Sequence, residues 1–588
     1  MQNSVYQFDG GKVIIRLRGR ICETPDELLN SELFLLVLKR CLRDLARRES
    51  KLLRIFANQS FSEENTDLLI RALQYLDKLP ADMVIRVLPE SAQLFKDRLL
   101  FNDFVEYLYN YWRNQQRFIV CEQEGESLDK RPYRTFTDTV ERLTHLVRGI
   151  YRDVQENITN THPRIYRQVR SGAEVATIAL PKQIPLPGKG YAQLLPISVI
   201  RQVLIYPPLI FTPPMNKRTG MFERVYYNPL DRMSLNKEDY VCYPAKVGPL
   251  VVMVYFHTHF FELGFSLCNL FELADDADLQ RQPDAVYVFG APESAFEDPE
   301  KFPTIFYDDQ ENDMLVAAVP ARDAFGYFGY LKKMILTLHN IRMMKLGRLP
   351  YHGALFNVDI RGKRPHTVLV MGDTGAGKSE MIDALQSIAG DDLRDMLIIA
   401  DDMGSLDIDP QGRIVGYGTE TGAFVRLDDL QPGYAFGQID RTIIMNAHLV
   451  NARVVLPVTT FDHLIRGYPI DYVLYANNYD EVTGDKPIIE RFQNVNQALD
   501  VFRKGAVMSK GTTSSQGLVE TYFANIFGPP QYQELHEILA QKYFEQFFKR
   551  NLFVGQIRTR LGIVGMERQG PWEAAKALLT NIKEFNGR

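Results

Sequence analysis

The chain opens on an alternation and then changes period. Val13, Ile15 and Leu17 occupy every second position, which predicts a short strand with one buried face. From about residue 30 to 120 the apolar residues recur at helical spacing instead. "SELFLLVLKRCLRDLARRESKLLRIFANQ" gathers them on one face and its basic residues on the other. "SFSEENTDLLIRALQYLDKL" repeats the pattern behind a capping sequence. This predicts a small helical bundle or adaptor domain with a solvated basic face, rather than a membrane or nucleic-acid helix. The polar stretch "EQEGESLDKRPYR" predicts a boundary near residue 125. From there to about 320, strand-like runs such as "VGPLVVMVYF" and "DAVYVFG" alternate with turns such as "PKQIPLPGKG" and "YPPLIFTPP".

Beyond residue 365 the elements become specific. "HTVLVM" predicts a strand that runs straight into "GDTGAGKSE". Gly372, four residues and Gly377-Lys378-Ser379 give the spacing of a phosphate loop. Its glycines let backbone N–H groups turn inward as an anion nest, and the helix "SEMIDALQSIA" adds its positive N-terminus. The nucleotide-binding set is therefore Gly372, Asp373, Thr374, Gly375, Ala376, Gly377, Lys378 and Ser379. Lys378 can reach the β- and γ-phosphates, and the Ser379 hydroxyl can ligate a divalent metal. "DMLIIADD" predicts a strand ending in Asp401 and Asp402, carboxylates placed to bind that metal directly or through water.

Composition narrows the classes. A chain of 588 residues implies two to four domains. A formal net charge of -5 argues against a nucleic-acid footprint. The five cysteines have neither zinc-site nor redox spacing, which fits a reduced, cytoplasmic setting. No apolar run is long enough to predict a transmembrane helix, and the N-terminus lacks the apolar core of a signal peptide.

An ordered set of motifs carries a resemblance. The loop alone looks like that of the HPr kinases. The wider set resembles the ATP-dependent phosphoenolpyruvate carboxykinases: "YFGYLKK" from Tyr327 to Lys333, "YHGALFNV" with His352, the phosphate loop, "LIIADDMG" with Asp402, "ETGAFVR", and "NARVVLP" with Arg453. "YFANIFGPP" and "PWEAAKALLTNI" extend it, so that it covers about residues 325 to 580. The resemblance implies that Lys333 (as a neutral amine), His352 and Asp402 hold a transition metal, usually manganese, so that the expected cofactors are ATP with manganese and/or magnesium. It implies that Arg453 stabilises the transferring phosphoryl group and that Tyr327 lies beside the substrate. "RTGMFERV" resembles the segment carrying the family's carboxylate-binding arginine, which would be Arg224. The sequence departs from the family at Asp373, Thr374 and Ser379, and lacks the histidine and tryptophan usual after the metal-binding aspartate. For adenine, Arg558, Arg560 and Arg568 are only nearby candidates. His257 and His259 of "FHTHFF" share a strand face and read as core or substrate-lobe residues.

The expected fold is α/β in three parts: a mainly helical accessory domain over 1–125, a divergent substrate lobe over 126–324, and a carboxykinase-like nucleotide and metal lobe over 325–588. The expected reaction converts oxaloacetate and ATP to phosphoenolpyruvate, ADP and carbon dioxide. Lys378, Arg453, Lys333 and Asp402 would be its catalytic residues. Two alternatives stand beside it: a kinase acting on a protein side chain or small alcohol, and a non-catalytic ATP-sensing scaffold. In each, the first domain is available to a protein partner.

Overall fold

The computed structural model describes residues 5–17, 22–122, 132–161, 171–389, 393–427, 439–510 and 516–584. The architecture is mixed α/β, in two compact units.

The first unit comprises residues 1–180 and 200–206. The predicted alternation forms the strand Lys12–Leu17. It pairs antiparallel with Val5–Asp9 across a tight turn at Gly10 (φ 55°), and parallel with Gln116–Cys121. Val175–Leu180 pairs parallel with the latter, followed by Val199–Ile205. The helices begin where their caps predict. The Ser31 hydroxyl accepts the Phe34 N–H at the start of Glu32–Arg47, and Ser62 does the same for Asn65 at the start of Glu63–Leu76, both at 3.1 Å. Their apolar faces pack with Arg98–Arg113 around Leu38, Leu69, Leu73 and Phe104. The long helix Pro132–Thr159 adds Ile150, Val154 and Ile158 to this core, so the unit continues past the polar stretch near 125. Arg117 ties sheet to helix. Its buried guanidinium pairs with Glu174 and donates to the carbonyls of Trp112 (2.9 Å), Arg113 (2.6 Å) and Gln115 (2.8 Å). These lie at the end of the helix Arg98–Arg113, where carbonyls have no intrahelical partner.

The second unit comprises residues 181–199 and 207–588. One sheet carries Tyr240–Val247, Leu250–His257, Ala285–Ala291, Met314–Pro320, Ile305–Asp309 and Glu223–Val225 in that order. Leu250–His257, Ala285–Ala291 and Met314–Pro320 run parallel. They are buried on both faces, which is why they read as unbroken apolar runs. The helix Phe328–Lys345 is buried almost all round and shows no polar stripe.

A further sheet positions the phosphate loop. Its centre is the long strand Leu349–Ile360, antiparallel to His366–Met371. His366–Met371 then runs parallel with Tyr472–Asn477, and that strand with Phe553–Arg558. Leu393–Ala400, the strand leading to Asp401 and Asp402, pairs antiparallel with Leu349–Ile360 instead. The strand after the loop helix is therefore not the parallel neighbour of the loop strand. A small sheet of Gly422–Arg426, Arg453–Pro457, Ile443–Met445 and Leu209–Phe211 completes the unit.

Two imidazoles are sealed in this unit. Burial pushes both His339 and His536 down to about 4, from an ordinary value near 6.5. The unfolded chain therefore takes up protons between pH 6.5 and 4 that the native imidazoles refuse. Stability is full above that window and falls through it by about 1.4 kcal/mol per pH unit per histidine. Urea denaturation from pH 7 to 4.5 should show this slope, and the pair His339→Leu, His536→Leu should flatten it. An unchanged slope in the double variant would refute the assignment.

Candidate functional site

The phosphate loop follows His366–Met371 and leads into the helix Lys378–Ala389. It lies where three parallel strands end, the edge at which open α/β sheets place their ligands. Its two neighbours grip it. Asn478, just past Tyr472–Asn477, donates to the Gly375 carbonyl at 2.9 Å and to the Met508 carbonyl at 3.0 Å. Thr559, just past Phe553–Arg558, donates its hydroxyl to the Ala376 carbonyl at 2.6 Å. In a trans peptide the carbonyl and the next N–H point in opposite directions. Pulling the Ala376 carbonyl outward therefore turns the Gly377 N–H toward the loop's interior, while the Ala376 N–H is taken by the Asp373 carbonyl at 3.1 Å. Gly377 has φ 89°, and a side chain there would meet Thr559 Oγ1 at 2.6 Å, so only glycine fits.

Lys378 is buried and folds back on the loop. Its ammonium donates to the carbonyls of Gly372 (2.6 Å) and Asp373 (3.0 Å). The Asp373 carboxylate accepts the Thr374 N–H at 2.7 Å, and Thr374 is exposed. Ser379 shares a hydrogen bond with Asp401, whose carboxyl is pushed up by burial and by the adjacent Asp402.

The residues expected around the metal come together through the backbone. His352 lies on Leu349–Ile360 opposite Met403. Its carbonyl accepts the Gly372 N–H at 3.1 Å, and the Gly353 N–H donates to the Asp402 carbonyl at 2.8 Å. His352 Nε2 faces Asp402 Oδ1 at 3.0 Å, while Nδ1 contacts the Ala524 carbonyl. With Nδ1 on a carbonyl, Nε2 meets the carboxylate oxygen through a proton, or through a metal ion that takes its place.

Two adjacent lysines divide the work. Lys332 donates to Asp402 Oδ2 at 2.7 Å and lies 3.1 Å from Glu420 Oε1. Burial works against its charge, but Asp402 and then Glu420 outweigh it and push the ammonium up. Burial also opposes the Asp402 charge, yet Lys332 and His352 hold that carboxyl well below the usual range. Lys333 has the opposite fate: burial, reinforced by the Arg218 charge, pushes it down to about 8. An amine so shifted sheds its proton readily and suits metal ligation. Among the described residues no three His, Cys, Asp or Glu side chains gather to hold a metal. A metal held by His352 and Asp402 would therefore need a further donor, such as the Lys333 amine.

Phe424, on Gly422–Arg426, organises the next layer. The Arg453 guanidinium lies 5.5 Å from its ring centre, Lys332 Nζ 5.9 Å, and the Tyr327 ring 5.9 Å. Arg453 and Tyr327 also share a hydrogen bond. Arg224 is placed differently from Arg218. It lies 3.6 Å from Asp308 and stacks on Tyr532, and Asp308 also binds Lys345 and the Tyr532 hydroxyl. Arg218 is the arginine whose charge is felt by Lys333 and Tyr327. Sequence reasoning passed over it, although it stands immediately before the "TGMF" that drew attention to Arg224. Asn478 and Thr559 were likewise missed as single polar residues with no motif of their own, and Glu420, which opens "ETGAFVR", was given no role. Of the adenine candidates, Arg558 is committed to Glu490 (2.7 Å) and the Pro487 carbonyl (2.6 Å), and Arg560 pairs with Glu573. His259 pairs with Asp323 at 2.7 Å, and the His257 ring packs on Tyr240.

Compared with family models and with curated proteins, the chain matches none.

The strand-end clamps make a prediction. Thr559→Val keeps the shape but strands the Ala376 carbonyl, at a cost of about 1–3 kcal/mol. Calorimetry should show ATP and inorganic tripolyphosphate binding roughly 5- to 100-fold more weakly. Thr559→Ser should bind like the wild type, and Asn478→Ala like Thr559→Val. Equal affinities in the Val and Ser variants would show that the hydroxyl does not shape the loop.

Proposed function

We propose that this chain is a cytoplasmic ATP- and divalent-metal-dependent phosphotransferase on a carboxykinase-like scaffold. It decarboxylates oxaloacetate and phosphorylates the resulting enolate to phosphoenolpyruvate. One observation carries the reading. Gly372 of the phosphate loop, His352 and Asp402 are joined by successive backbone hydrogen bonds, with Lys332 on the Asp402 carboxylate. A divalent metal, when bound by Lys333, His352 and Asp402, supplies Lewis-acid stabilisation of developing negative charge. The remaining work falls to the chain's own groups. Lys378 leaves the Gly372 and Asp373 carbonyls for the β- and γ-phosphates, and the inward Gly377 N–H helps to cradle them. Arg453, anchored by Tyr327 and Phe424, faces the charge that grows as the γ-phosphoryl transfers. Arg218 offers positive charge to the carboxylates of the acceptor. The C–C bond to the departing carboxylate breaks, carbon dioxide leaves, and the enolate oxygen takes the phosphoryl group from ATP.

A second reading rests on Glu420. Burial pushes its carboxyl up to about 8, and its Oε2 has no hydrogen-bond partner among the described residues. A basic, buried carboxylate suits an alcohol acceptor, which must lose a proton as it is phosphorylated. The chain would then be a kinase on the same scaffold.

Purified protein with ATP, magnesium and manganese should yield phosphoenolpyruvate from oxaloacetate. Labelling of a protein or an alcohol from ATP, independent of oxaloacetate, would favour the kinase. ATP binding without any turnover would leave a sensing scaffold. Lys378→Ala should abolish transfer while the protein stays folded, and equal turnover would remove the loop from the mechanism.

Arg218→Ala should raise KM for oxaloacetate roughly tenfold to a hundredfold, the worth of a charge-assisted pair of about 1.5–3 kcal/mol. Arg224→Ala should change it little, because that arginine is held by Asp308. The reverse order would restore Arg224 as the carboxylate ligand.

A further inference from the structure

The first unit encloses a cavity of about 110 Å³ in the seam between its apolar clusters. Ile15 and Leu17 of the sheet form one wall. The helices Glu32–Arg47, Arg98–Arg113 and Pro132–Thr159 supply most of the rest, with Leu28 and Leu29 of Pro25–Leu29 and Leu73 of Glu63–Leu76. None of its described lining residues carries a charge. Two of its three polar side-chain atoms are already used. The Trp112 indole N–H donates to the Ser171 carbonyl at 2.8 Å, and the Tyr151 hydroxyl binds Glu106. Tyr109, the third, stacks its ring on Tyr151 at 3.9 Å.

Water does not suit this space. A buried water needs two to four polar partners, and the wall offers one phenol at most. A single water occupies only about 10–15 Å³ of such a volume, so the cavity has the size of an organic group. Packed interiors rarely keep voids of this size, because the lining atoms lose their dispersion contacts. Phe34, Tyr109, Trp112 and Val147 are half-buried, so the lining reaches toward solvent and a ligand has a way in. A charged ligand is excluded, because nothing in the wall compensates its desolvation.

We propose that this cavity binds an uncharged, hydrocarbon-rich small molecule, of the size of a substituted benzene or a short alkyl chain. The first unit thereby acts as an apolar-ligand site separate from the phosphate loop. The inference is independent of the reaction proposed above, since it rests on no residue of that site.

The protein carries its own reporter. It has two tryptophans, of which Trp112 lines the cavity and Trp572 is half-exposed on another helix. Full-length protein with Trp572→Phe is titrated with toluene and with octan-1-ol while Trp112 emission is followed. Saturable one-to-one binding of at least one probe is expected, and which probe binds tighter tells an aromatic from an alkyl ligand. Val105→Phe fills the cavity from the helix Arg98–Arg113, and Val147→Phe fills it from its half-buried side. Each should weaken binding at least tenfold without lowering the melting temperature. Should one fail to fold, the other and the wild-type titration still decide. No saturable response to either probe in the wild type, or unchanged binding in a folded filling variant, would overturn the proposal.

Discussion

Everything at the candidate site hangs on one buried ammonium. Lys332 is 2% exposed, and a charge so placed is tolerated only with compensating partners. Asp402 and Glu420 supply them. The pair fixes the helix Phe328–Lys345 against the bend between Leu393–Ala400 and Met403–Ile408. It also decides how the next residue behaves. With both carboxylates turned to Lys332, Lys333 is left with burial and the nearby Arg218 as its main influences, and its amine is pushed toward neutrality. One lysine of the pair is thus a structural cation and its neighbour a potential metal ligand. Neither role can be exchanged, because the two side chains leave the helix in different directions.

A second constraint acts on the phosphate loop. Three parallel strands end together, and each contributes the residues just past its C-terminal end: the loop itself, Asn478 and Thr559. The loop's peptide planes are therefore set by the sheet as well as by the loop's own turn from Asp373 to Ala376. This is pre-organisation in the strict sense. The donors that would meet a phosphate are oriented before it arrives, so that binding costs less ordering entropy. The lysine remains the one adjustable part, because its loop carbonyls are partners that it can exchange for phosphate oxygens.

Much of this was legible in the sequence, for identifiable reasons. The strand, loop and helix around Gly372 to Ala389 are dictated by local rules, apolar β-branched residues succeeded by glycines and then a helix. The helical periods of the first unit were equally plain, since each helix exposes one face to solvent. What escaped was non-local. The polar stretch near 125 resembles a linker, yet Ile150 and Val154 lie beyond it and return to the same core as Leu69 and Phe104. The antiparallel course of Leu393–Ala400 depends on which strand it meets, not on its own composition. Arg218 and Arg224 are both arginines in one polar loop region. Only folding separates them, one toward Lys333 and the other toward Asp308. Glu420 opens "ETGAFVR", yet its role stayed hidden, because a lone glutamate in a glycine-rich segment reads as a surface residue until a lysine is found buried beside it.

The two readings of the reaction differ at one physical point: where the proton goes. An enolate formed by loss of carbon dioxide brings no proton to remove, and it needs only cations around its oxygen. Arg218 and Arg453 supply that positive charge, and Glu420 need not change its protonation. An alcohol needs a base at the moment of transfer. Among the described residues, the neighbour of Lys332 with an unpaired buried oxygen is Glu420. If Glu420 took a proton it would lose its pull on Lys332, which would then rely on Asp402 alone. The carboxylate that holds the metal-site histidine in register would be drawn further toward the lysine. Proton removal by Glu420 would therefore work against the geometry of the proposed metal site, whereas enolate chemistry would leave that geometry undisturbed. On this ground the arrangement of Lys332, Asp402 and Glu420 would suit the proposed decarboxylating reaction better than the simple kinase.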